Sequence, residues 1–212
     1  LEMRPERTMR KMVSMVTGID DMNLVTSDFI NAKNEFADKP FYLSYFWDNV
    51  TMDNVEKVFT LARKRYGIKI GVFDNLHFLC RNVNHITQEV GIVSKRFKQL
   101  AEKLKIPIIL IVQPRRVDVN NIPSSEDLKD SSAIKADADK VLILHRLPMV
   151  STPEIGSGGG GMADLMIKPL DESLHPMTMI KCDASRFSSG GQTILWYDGA
   201  KSQFRYATQK EI

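Results

Sequence analysis

Residues 106–112 read IPIILIV, an almost unbroken apolar run. It is far shorter than the roughly 20 residues a helix needs to span a bilayer. It also lacks the polar alternation that would leave one face of a strand to water. As a strand it must be buried on both faces, and that points to a parallel sheet with helices on either side. Pro107 fits near the strand start, where its missing N–H is tolerated. Upstream, "IKIGVF" (68–73) is a second short apolar strand. Between the two, Val93, Phe97, Leu100 and Leu104 recur at helical spacing. Strand, helix and strand in that order form the unit of an α/β sheet.

The same rhythm extends both ways. Pro5 suits the first turn of a helix, Met9, Met12, Val13 and Val16 follow on one face, and Gly18 ends the run. "FYLSYF" (41–46) alternates and is rich in aromatics, so it reads as a strand. Val55, Val58, Phe59, Ala62 and Tyr66 mark a helix stopped by Gly67. After a polar stretch over 114–132, a short helix around "SSAIKADA" leads to a fourth strand, "KVLILH" (140–145). "STPEIGSGGGGMAD" (151–164) reads as a glycine-rich mobile loop, not a domain linker, because too little chain follows for another domain. "MTMIKC", "QTILWYD" and "QFRYA" then read as antiparallel strands, with turns at 188–191 and 198–199. The expected architecture is one α/β domain over 1–212: a mostly parallel sheet flanked by helices, with a C-terminal antiparallel hairpin extension.

Composition narrows the function classes. The 212 residues are 43% hydrophobic and 26% charged, as expected of a globular domain, and no apolar run is long enough to span a membrane. Cys80 and Cys182 are far apart and form no CxxC pair, and the four histidines have no ligand partner at helical spacing. A disulfide frame and a zinc site are therefore unsupported. The net charge of +3 is mild. Arg63-Lys64-Arg65, Lys95-Arg96 with Lys98, and Arg115-Arg116 are the local basic clusters, which on helices read as solvated faces.

Chemistry gathers at strand ends. Asp74 closes "IKIGVF" and Gln113 closes "IPIILIV". In a parallel sheet those carboxyl ends lie side by side, where ligands of open α/β sheets bind. A carboxylate there holds magnesium through water, and a glutamine hydrogen-bonds a terminal phosphate or its attacking water. Asp74 taken alone reads equally well as a strand-end cap.

Three blocks carry a family resemblance: "GVFDNLHFL", "FKQLAEKLKIPIILIVQPRR" and "DLKDSSAIKADADKVLILHR". Together they resemble the C-terminal, RecA-like motor domain of DnaB-type replicative helicases, and most of all the branch of phage primase-helicases and the mitochondrial helicase Twinkle. The opening "LEMRPERTMRKMVSMVTG" resembles the segment after the first core strand of that family, and "SRFSSGGQTILWYD" its arginine-finger hairpin. The resemblance is weakest over 20–66 and 147–178, and the "DLKDSSAIKADAD" block is its most specific part.

The resemblance implies roles residue by residue. Glu2 matches the glutamate that polarises the attacking water, Asp74 the Walker B acid on Mg2+, and Gln113 the polar sensor. Arg186 matches the finger that enters the neighbouring subunit's site, where a guanidinium bridges phosphate oxygens. The family places a lysine two residues before that arginine; here the position is Ala184, and Lys181 is the nearest substitute. Arg115, Arg116, Lys129 and Lys135, with Arg81 as a weaker member, are the expected DNA-facing cations. Such contacts would be to phosphates, independent of sequence and sensitive to salt. The implied cofactors are ATP or another NTP and Mg2+. The implied partners are single-stranded DNA, further copies of the chain in a hexameric ring, and primase. The implied setting is the cytoplasm of a bacterial or phage-infected cell, or the mitochondrial matrix for the Twinkle branch.

G-x-x-x-x-G-K-[S/T] is absent, and "GSGGGG" is followed by Met162 with no Lys-Ser or Lys-Thr. In the resembled family the phosphate loop lies upstream of the "LEM" segment, so the expectation is that it lies outside these residues and that they do not hydrolyse ATP alone. Two other readings stay open at this point: a RecA- or RadA-type recombination ATPase, and a non-enzymatic module that binds single-stranded DNA or serves assembly.

Overall fold

A computed structural model describes residues 4–37, 39–46, 50–80, 86–113, 123–127, 131–147 and 177–206. Helix α1 spans Pro5–Thr17, with proline in its first turn. It ends at Gly18, whose positive φ of 71° lets its N–H turn back to the Ser14 carbonyl at 2.8 Å. Helix α2, Thr26–Ala37, packs on it. Val13, Leu24 and Ala32 are buried between them, with Phe29 and Phe36 alongside. Of the apolar stripe expected on α1, only Val13 is fully buried, and Met9 and Val16 remain exposed.

The main core forms around a strand–helix–strand unit. Helix α3 (Met52–Tyr66) starts with the Thr51 hydroxyl accepting from the Asn54 N–H, and it closes at Gly67. Strands β1 (Gly71–Phe73) and β2 (Ile108–Leu110) pair in parallel, with Phe73 opposite Leu110. Helix α4 (Ile86–Leu104) makes the crossover. Its Val90, Val93, Phe97 and Leu100 meet Val55, Phe73 and Leu76 in one buried cluster. Gly71 allows this approach, since a Cβ there would sit 2.1 Å from the Phe59 ring. Arg96 on α4 reaches Asp53 and Glu56 on α3, each at 2.7 Å. Two cations of the 95–98 cluster thus make tertiary ion pairs, Arg96 here and Lys98 at Asp139, where a solvated face was expected.

Helix α5 (Ser131–Asp137) leads into β3 (Lys140–Arg146). Strands β4 (Met177–Ser185), β5 (Gly191–Asp198) and β6 (Gln203–Tyr206) extend β3 into an antiparallel sheet of order β3-β4-β5-β6. The three antiparallel strands expected at the C-terminus are thus present. So is the strand expected at 140–145, and its ladder partner among the described residues is β4.

Two expectations are corrected. Residues 41–46 form no strand. Tyr42 instead stacks on Tyr66 at the end of α3, with ring centroids 4.3 Å apart, and Phe41 and Leu43 stay exposed. The alternation of this stretch reflects aromatics packing sideways onto a helix. The 106–112 run is covered on one side only. Ile108, Leu110 and Val112 face the core, while Ile109 and Ile111 are 50% and 42% exposed. Val72, Leu142 and Leu144 are exposed likewise, so among the described residues helices cover a single face of these strands. The glycine-rich stretch at 151–164 lies outside the described residues.

Candidate active site

Asp74 follows the last residue of β1, and Gln113 lies just beyond β2. The parallel pairing brings both to the same end of the strand pair. The Ile111 N–H donates to the Phe73 carbonyl and the Leu76 N–H to the Ile111 carbonyl, both at 3.0 Å, so the two strand ends are locked together. The local cap is Asn75. It is 2% exposed, and its side-chain oxygen accepts from the His77 N–H at 3.1 Å to start the 3₁₀ turn Leu76–Leu79. Asp74 is therefore spared that task, and among the described residues its carboxylate has no hydrogen bond or ion pair. This decides against the capping reading. Mg2+ keeps most of its waters and takes one or two carboxylates with phosphate oxygens, so a carboxylate without structural partners fits its needs.

Arg186 sits in the opposite situation. It follows β4, and its N–H donates to the Asp139 carbonyl at 3.0 Å. Its guanidinium lies 3.9 Å from the Asp139 carboxylate and donates to the Ala136 carbonyl at the end of α5. Asp139 also receives the Lys98 ammonium on both oxygens, at 2.7 and 2.8 Å. Helix α4 leaves the Asp74 end of the sheet and runs back to the start of β2. At 1.5 Å per residue, Ile86 to Lys98 covers about 18 Å. Arg186 is thus anchored beside the C-terminal half of α4, and no described contact joins it to Asp74.

Lys181 does not stand as a bare second cation beside Arg186. Its ammonium lies 2.6 Å from Asp183. Strand β4 carries a bulge here: Ala184 faces Val141, Cys182 faces Leu142, and Asp183 is the extra residue. A bulge re-aims a side chain, and Asp183 points to Ser125, whose N–H donates to it at 2.7 Å. The Lys181 ammonium and the Ser125 hydroxyl and amide hold the Asp183 carboxyl down to a pKa of about 2. Lys135 pairs with Glu126 at the surface, which raises the ammonium's pKa. Glu2, Arg81, Arg115, Arg116 and Lys129 lie outside the described residues.

Sequence reasoning missed Asp139, Asp183, Ser125 and the capping role of Asn75. The "DLKDSSAIKADAD" block was a signal for Asp139, since it is distinctive and ends on that acid. Nothing in "KCDAS" announces the bulge that aims Asp183.

Comparison with solved structures places the fold first. The chain superposes over 98% of its length on a DnaB-like replicative helicase described with its interactions with primase, with a TM-score of 0.74 at 17% identity, covering 50% of that chain. It does so equally on the ATPase domain of G40P, with a TM-score of 0.71 at 18% identity, covering 72% of that chain. At this identity the likeness speaks for the α/β fold alone. The family follows from sequence. Residues 1–168 match the DnaB-like helicase C terminal domain, and the chain belongs to that family. Among curated relatives, the replicative DNA helicase DnaB of Rickettsia bellii is 29% identical over 96% of this chain and 44% of its own length. That of Mycoplasma pneumoniae is 32% identical over 58% of this chain and 27% of its own length. The chain therefore spans less than half the length of these two relatives. The recombination-ATPase reading finds no support in these likenesses.

Proposed function

We propose that the chain forms part of the motor of a ring-shaped replicative DNA helicase, which couples ATP hydrolysis between subunits to movement along single-stranded DNA and to duplex unwinding. The observation that carries this reading is membership of the helicase family; the fastening of Arg186 to Asp139 and Ala136, with no described contact to Asp74, supports a site shared between copies. Two halves of one site carried by different copies meet when the copies pack head to tail, and such packing closes into a ring where the rotation between copies allows it.

In the proposed site Asp74 would hold Mg2+, which would supply positive charge against the phosphates of ATP or another NTP. Gln113 hydrogen-bonds toward the terminal phosphate from the adjacent strand end. Glu2 accepts a hydrogen bond from the attacking water and orients it. Arg186 of one copy supplies fixed positive charge to the next copy's site. Arg81, Arg115, Arg116, Lys129 and Lys135 face the DNA phosphates. Lys181 acts through Asp183, as a support of the strand that carries the finger. Primase is a proposed partner, as for the solved helicase described with it. The cytoplasm is the proposed setting. Hydrolysis also needs a phosphate cradle, for which the 212 residues hold no G-x-x-x-x-G-K-[S/T] motif, so activity is tested in motor protein that carries one.

The test is subunit complementation. In the motor protein Asp74→Asn and Arg186→Ala each abolish DNA-stimulated hydrolysis, the second by about a thousandfold or more. Mixed rings regain activity, because some interfaces pair an intact Asp74 with an intact Arg186. Mixtures that stay inactive, while rings mixed with wild type remain active, would sink the shared-site reading.

A further inference from the structure

We propose that Asp183 is a positioning residue, a carboxylate strut joining the segment between β2 and α5 to the strand that carries Arg186. The inference rests on the reading of Arg186 as the finger. Three observations carry it. First, Asp183 is the extra residue of the β4 bulge, so the strand gives up one ladder position to aim this side chain. Second, its partners come from both sides of the link. Ser125, itself 2% exposed, donates its N–H from the 3₁₀ turn Ser125–Asp127, and Lys181 braces the other oxygen from β4. Third, Arg186 is fastened further along the chain, at the end of α5 and just beyond it, by its guanidinium to the Ala136 carbonyl and its N–H to the Asp139 carbonyl.

The stretch from Ser125 to Asp139 therefore grips the finger strand at two places. The turn has hydrogen bonds of its own. The Asp127 carboxylate accepts from the Ser124 N–H at 2.7 Å and from its hydroxyl at 2.9 Å, and Lys135 of α5 ties back to Glu126. The sequence between β2 and α5 holds three of the proposed DNA-facing cations, Arg115, Arg116 and Lys129. A shift of the Ser125–Asp127 turn on binding DNA would be carried to Arg186 by the Ser125–Asp183 contact, without any direct contact between Arg186 and DNA. Elements joined by defined hydrogen bonds are the kind through which two sites can bias one another.

The experiment uses motor protein carrying Asp183→Ala, Asp183→Asn or Arg186→Ala, and reads hydrolysis with and without single-stranded DNA. Asp183→Ala is expected to lower the ratio of DNA-stimulated to DNA-free hydrolysis by at least about fivefold, the low end of usual coupling strengths. Asp183→Asn, which keeps an acceptor for the Ser125 N–H, is expected to fall between it and wild type. It is the variant read if the alanine form does not fold. Amide exchange at Ser125 is expected to speed up in the same order. An unchanged ratio, or an equal loss of both rates, overturns the strut, since a merely structural role would produce the latter. If Arg186→Ala keeps wild-type hydrolysis, the finger reading has failed, and that outcome is distinct from failure of the strut.

Discussion

The two ends of the molecule treat their charged side chains in opposite ways. At the Asp74 end the carboxylate has no hydrogen bond or ion pair among the described residues, and the neighbouring Asn75 does the structural work. At the Arg186 end Asp139 holds Lys98 and Arg186, Asp183 holds Lys181 and Ser125, and Glu126 holds Lys135. The difference fits the two roles proposed for these residues. A group proposed to meet a metal-bound water is best left without protein partners, because each such partner would have to be displaced. A group proposed to reach another subunit needs its base fixed, because a long side chain on a loose strand loses its aim.

Stability gives the largest expected contrast between the ends. Asp74→Asn should change unfolding free energy by less than about 0.5 kcal/mol, as for substitutions that break no specific contact. Asp183→Ala strips Ser125 and Lys181 of their acceptor and should cost about 2 kcal/mol. Urea unfolding of both variants checks this, and equal effects would erase the distinction. Acid should sharpen it. The Asp183 carboxyl is depressed to about 2 by its Lys181 and Ser125 bonds, below its usual value near 3.8. A depressed carboxyl contributes stability that is present above its unfolded pKa and lost as pH falls through the folded one. Part of the acid sensitivity between about pH 4 and pH 2 should therefore vanish in Asp183→Asn and persist in Asp74→Asn. The smallest effect concerns Lys135. Removing its surface partner with Glu126→Gln should strengthen binding of single-stranded DNA by no more than about fivefold, the scale of an exposed ion pair. The gain should shrink as salt rises. Fluorescence anisotropy at two salt concentrations measures it.

Much of the framework was legible in the residues. Pro5, Gly18 and Gly67 bound their helices through local backbone chemistry, which needs no tertiary context. The Asp74 and Gln113 strand ends were readable because an apolar run closing on a polar residue marks where a buried strand stops. Residues 41–46 misled because alternating aromatics suit a strand and a helix-packed segment alike, and the Tyr42–Tyr66 stack is a long-range choice. The 106–112 run misled in another way. Apolar residues on both faces show that a strand is fit for burial, not that the described residues bury it.

The sequence by itself determined the α/β class, the parallel unit with Asp74 and Gln113 at its ends, the C-terminal hairpins and the helicase kinship, because these rest on period, punctuation and motif wording. Only the tertiary structure decided which acids are occupied. Asp74, Asp139 and Asp183 are the same residue type at the ends or bends of strands, and no local pattern separates them. What separates them is a bulge that turns Asp183 toward Ser125 and a crossover helix that delivers Lys98 to Asp139. Both depend on contacts between residues some forty to sixty positions apart, and such contacts exist only once the chain has folded.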